Sequence, residues 1–119
     1  MGKDTLRIIS PNGHLGFAPT KEGSFYIGAE TKPDYYCCDS GSDDIGPVPL
    51  GMEKCASHPD WQYHDLELML LASREQGVPM IIGSAGDTGT NSRVDMYVEM
   101  IRDMAKKHGL KKFKLAYFY

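Results

Sequence analysis

Three short apolar runs in this chain each empty into a glycine-rich loop, and that repetition restricts the fold more than any other feature. Thr5 to Ile9 leads into Pro11, Asn12, Gly13, His14, Leu15 and Gly16. Tyr35 to Cys38 leads into the segment from Asp39 to Pro47, and Val78 to Ile82 leads into Gly83 through Asn91. β-rich runs that stop at glycine, where positive φ costs little, read as strands ending in turns. Strands that lie parallel place all three loops on one rim, and open α/β sheets bind ligands beyond the carboxyl ends of their strands.

Helical patterns fill the intervals. Ser24 to Glu30 fits a short helix, with a strand at Ser24 to Ile27 as the competing reading. The group Ser57, His58, Pro59 and Asp60 opens a helix in which Leu66, Met69, Leu70 and Ser73 share a face, and Gly77 closes it ahead of Pro79. Pro47, Pro49 and Gly51 make residues 45–57 a long loop. Thr90, Asn91 or Ser92 caps a helix carrying Val94, Tyr97, Val98, Ile101, Met104, Ala105 and His108 at spacings of three and four, up to Gly109. Lys112 to Tyr119 reads as a fourth strand. Alternation of this kind predicts an α/β fold: a mostly parallel sheet of about four strands with flanking helices, a Rossmann-like three-layer half domain.

A chain of 119 residues is the size of one domain. Its formal net charge of −3 argues against sequence-independent nucleic-acid binding, and no run approaches the roughly 20 apolar residues that span a bilayer. The expectation is a soluble cytoplasmic protein with no membrane or nucleic-acid partner. Lys106, Lys107, Lys111 and Lys112 form the one basic cluster, and the first two complement a helix C-terminus. Cys37, Cys38 and Cys55 are an odd number, which speaks against a disulfide framework, and Cys37 and Cys38 in their apolar run read as buried structural thiols. Ending on an apolar run exposes a strand edge, so the chain is expected to be the N-terminal fragment of a longer protein, or to need a companion subunit or a homo-oligomer.

The candidate chemistry lies in the loops. Asp39, Asp43 and Asp44 are interleaved with Ser40, Gly41 and Ser42, a composition suited to Mg²⁺ or to close approach by a ligand oxygen, and equally ordinary in turns. Asp39 and Asp44 are the candidate acid/base or metal residues. His14, easily poised near neutral pH, is the second proton carrier. Gly83, Ser84, Gly86, Asp87 and Thr88 precede a helix N-terminus and could offer amides to an anion, although Asp87 opposes one; the spacing matches neither a Walker A loop nor a dinucleotide fingerprint. Asn12, Gly13, Ser40, Gly41, Ser42 and Gly46 complete the ligand-binding set.

Ile8 to Phe17, Pro33 to Cys38 with Asp39 to Pro47 and Leu50-Gly51, and Pro79 to Gly86 together resemble, in that order, the N-terminal part of the acyclic terpene utilisation protein AtuA family. The resemblance runs along nearly the whole chain. It implies a cytoplasmic catabolic enzyme of lyase or hydrolase type, associated with branched terpenoid acids and acyl-CoA intermediates. It also carries a site onto Asp39, Gly41, Ser42, Asp44, Gly46 and Pro47. The reading is a domain binding a small anionic ligand, a carboxylate or acyl-CoA, at the three-loop rim. The alternative is a non-catalytic nucleotide- or phosphate-binding or subunit-assembly module.

Overall fold

The computed structural model describes residues 4–41 and 47–119. Their elements run β1 (Ile8–Ile9), α1 (Glu22–Ala29), β2 (Tyr35–Gly41), α2 (Val48–Met52), α3 (Pro59–Gln76), β3 (Met80–Asp87) and α4 (Asn91–Lys107). The three strands form one parallel sheet in the order β1-β2-β3. This is an α/β fold, with the helices acting as the crossovers that parallel pairing requires.

Local chemistry accounts for the element ends. At the start of α3, Pro59 takes a position with no intrahelical N–H to lose, and His58 Nδ1 accepts from the Asp60 amide at 3.2 Å. Gly77 ends the helix in the left-handed region with φ +68°. For α4 the N-cap is Thr90, whose side chain makes no capping bond, while Lys107 Nζ and His108 Nε2 both reach Glu67 Oε1 at 2.7 Å and tie its C-terminus to α3. The core joins Leu66, Met69 and Leu70 of α3 to Tyr36 and Cys38 of β2, to Phe25 of α1, and to Tyr97, Ile101 and Met104 of α4. Burial pushes the Cys38 thiol up to about 11, so it stays a neutral packing group.

Three expectations need correction. The segment expected as one long loop contains the five-residue helix α2, started by Pro47 and Pro49. β2 runs on through Asp39 and Ser40 to Gly41 instead of ending at Cys38, and β3 runs on to Asp87 instead of ending at Ile82. Beyond Asp39–Gly83 the register slips, because Ser40 alone spans on β2 what Ser84, Ala85 and Gly86 span on β3. The third glycine loop is thus a bulge within a strand, with Ser84, Gly86 and Asp87 all at positive φ.

The third correction concerns the fourth strand. Residues 110–119 carry no strand, so among the described residues the sheet has three strands rather than four. Leu110 and Phe113 pack against the core, the Arg74 guanidinium lies 5.2 Å from the Phe113 ring centre, and Tyr119 Oη donates to Asp95 Oδ1 at 2.6 Å. Anchored at both ends, the segment stands off β3 across a cleft of about 550 Å³, and ladder pairing needs backbones about 4.8 Å apart.

Candidate functional site

The three loops do meet. The Leu15 amide donates to the Asp39 carbonyl at 2.9 Å, binding the first loop to the end of β2, and Leu15 itself is fully buried. One residue earlier, His14 Nε2 lies 2.7 Å from Asp87 Oδ1 and so joins the first loop to the end of β3. Gly16, at φ +82°, lets the chain pass close to α3: a Cβ there would lie 2.3 Å from Gln62 Cγ. The Gly16 and Thr20 amides both donate to the buried Asp65 carboxylate, at 3.0 and 2.8 Å, and fix the remainder of the loop.

Asp87 is the hub. Its Oδ1 receives His14 Nε2 and the Ser57 hydroxyl, each at 2.7 Å. Its Oδ2 receives the Ala56 amide at 2.7 Å, the Ser57 amide at 3.1 Å and Gln62 Nε2 at 3.3 Å. Burial works against ionisation, yet the bonds from Ser57, His14 and Ala56 outweigh it and hold the carboxyl below its ordinary range. An ionised carboxylate only accepts, so the hydrogen of the shared bond belongs to His14 Nε2. Nδ1 then has no hydrogen-bond partner among the described residues. The carboxylate side chain is 1% exposed and the imidazole 13%, so the charge is hidden while the ring remains within reach of solvent. Phe17 stacks on that ring at 5.7 Å. A histidine oriented through one nitrogen by a buried carboxylate, with the other nitrogen free, is equipped to accept or donate a proton.

The other expected residues take varied places. Asp39 is exposed, and its Oδ1 accepts from the Gly41 amide at 2.9 Å, a local backbone cap at the strand end. Ser40 is buried and bonded to Tyr97 Oη at 2.5 Å, where burial raises the phenol above its ordinary pKa. Asn12 holds its own loop, with Nδ2 donating to the Ala18 carbonyl and its carbonyl accepting from Cys38 Sγ. Gly13 is exposed with open space around it. Gly41 packs on Ser84, and Gly83 lies against Asp39, so these glycines serve close approach of β2 and β3. Thr88 faces Thr90 at 3.4 Å. Gly86 is buried, with Arg93 Cβ where a side chain would go.

Ser42, Asp44 and Gly46 lie outside the described residues. Among those described, no three His, Cys, Asp or Glu side chains are grouped to hold a metal ion. The expected amide cradle also changes character: Asp87 turns inward, the Gly89 amide is already bonded to the Ala85 carbonyl, and the Arg93 guanidinium turns to the Glu53 carbonyl and Cys55 Sγ.

Sequence reasoning missed Ser57, Gln62, Asp65 and Ala56. Ser57 was legible only as a helix-opening residue, and nothing in its spacing pointed to an acid thirty positions on. Gln62 and Asp65 sit one turn apart on α3, on a face that also carries Leu66 and Met69, and polar residues on an apolar face were the available signal. Gln62 Oε1 and Thr20 Oγ1 are buried without a partner among the described residues. The chain matches no protein-family model, no curated protein and no solved structure. Among the described residues no helix is long and apolar enough to cross a membrane.

Proposed function

We propose that the chain is the N-terminal, Rossmann-like ligand-binding domain of an AtuA-like catabolic enzyme, acting on a carboxylate or acyl-CoA substrate at the carboxyl rim of its parallel sheet. His14 is the acid/base and Asp87 the group that orients it. The observation that carries this reading is the 2.7 Å contact between His14 Nε2 and Asp87 Oδ1, which leaves Nδ1 available at a rim built from three loops. Proton transfer next to a carbonyl or thioester suits such a pair, because the buried carboxylate fixes the orientation of the ring and leaves Nδ1 to exchange a proton with a ligand. Asp39, exposed at the same rim, is the second carboxylate of the site. The resemblance carried by Ile8 to Phe17, Pro33 to Pro47 and Pro79 to Gly86 supports the family reading.

The test is turnover of branched terpenoid acyl-CoA thioesters by the full gene product. His14→Gln keeps a polar side chain of similar size but cannot shuttle the proton, so kcat is expected to fall about 10²- to 10⁴-fold with little change in KM. Unchanged kcat removes His14 from the chemistry.

A further inference from the structure

The cleft beside β3 is a slot for a β-strand. In a parallel ladder alternate residues turn their N–H and C=O groups to one neighbour. The Tyr36 amide donates to the Pro79 carbonyl, and Tyr36 and Cys37 stand opposite Met80 and Ile81. Pro79 and Ile81 therefore face β2, and the backbone groups of Met80 and Ile82 face the cleft, where no described residue pairs with them. α4 supplies one apolar wall through Val94, Val98 and Ile101. The far side is the extended segment around Leu115, pinned by Phe113 and Tyr119. A second compartment of about 360 Å³ continues the slot toward Pro79 and shares Met80, Ile101, Lys114 and Leu115 with the first.

An unpaired ladder edge defines its own ligand, since a row of alternating donors and acceptors is met by another extended backbone. Charge narrows the ligand further. Lys114 lines both compartments, Arg74 lines the second alone with its guanidinium held by the Val78 carbonyl, and no acid lines either; Lys114 has no ion pair among the described residues. A second copy offers poor strands for the slot. Its C-terminal segment carries Lys111, Lys112 and Lys114, which would meet like charge, and its β1 has only two residues. We infer that the free edge of β3, with the positively charged cleft beside it, binds an extended apolar strand bearing acidic residues from a partner polypeptide.

The probe is a short synthetic peptide of alternating valine and threonine flanked by aspartates, titrated into the protein by fluorescence anisotropy with amide exchange followed in parallel. The inference predicts saturable binding, slowed exchange at Met80 and Ile82, and at least tenfold weaker binding for the same peptide flanked by lysines. Lys114→Glu, an exposed substitution, is expected to reverse that preference. Equal binding of a peptide with central prolines overturns the inference, as does an absence of saturable binding up to about 1 mM. So does slow exchange at Met80 and Ile82 in the protein alone, in which case sedimentation assigns the edge to the chain's own terminal segment in a monomer or to a second copy in a dimer. Slowed exchange with an acyl-CoA and with neither peptide also overturns it.

Discussion

Asp87 shows how a single residue can be placed by sequence and still be misread in direction. Its position in a glycine-rich segment beyond an apolar run marked it as part of a site. Which way the carboxylate points depends on Ala56, Ser57 and His14, none of them near it in the chain. Burying a carboxylate is unfavourable unless its oxygens are hydrogen-bonded, and here both are. Asp87→Asn removes the charge and sets an amide N–H₂ against one of those donors, so a loss of about 1–3 kcal/mol in urea unfolding is expected. The effect depends on pH with a definite sign. A carboxyl held below its ordinary value contributes its full stability above the unfolded pKa of about 3.9 and loses it as pH falls through the folded value. Melting temperatures of the wild type and Asp87→Asn are therefore expected to differ most near neutral pH and to converge below about pH 4. A constant gap across that range would show that ionisation of Asp87 is not what the network stabilises.

At the scale of elements, periodicity was a good guide wherever one side of a helix faces the core. α3 and α4 lie within a residue or two of their expected limits because apolar spacing, Gly77 and Gly109 all agree. The strand ends were less legible. Asp39, Ser40 and Gly83 carry turn-like composition, yet they stay in the ladder because close approach of β2 to β3 needs small residues. For Lys112 to Tyr119 the composition fits a strand, yet Phe113 and Tyr119 make their contacts with Arg74 and Asp95 and the segment joins no ladder. Two glycines separate conformation from packing. Gly77→Ala meets open space at φ +68° and is expected to cost about 1–2 kcal/mol. Gly16→Ala adds a collision with Gln62 Cγ and Cα to a similar φ, so a loss of about 3 kcal/mol or more is expected, together with lower activity as His14 is displaced. Equal losses at the two positions would contradict the close passage of the first loop over α3. Met69→Ala, in the fully buried face of α3, is expected to cost about 2–5 kcal/mol without altering the His14 site chemistry.

The molecule as a whole is organised by co-directional strands delivering separate loops to one mouth, and this much followed from the order of apolar runs and glycines. The partners that complete the mouth come from the far side of α2 and from within α3, where no local pattern announces them. The most direct test is a double-mutant cycle between His14 and Asp87, which lie 73 positions apart in sequence and in contact in the fold. Urea unfolding of His14→Ala, Asp87→Asn and the double variant is expected to give a coupling free energy of about 1–2 kcal/mol. Strictly additive losses would mean that the first and third loops do not meet, and the rim with its proposed proton carrier would not exist.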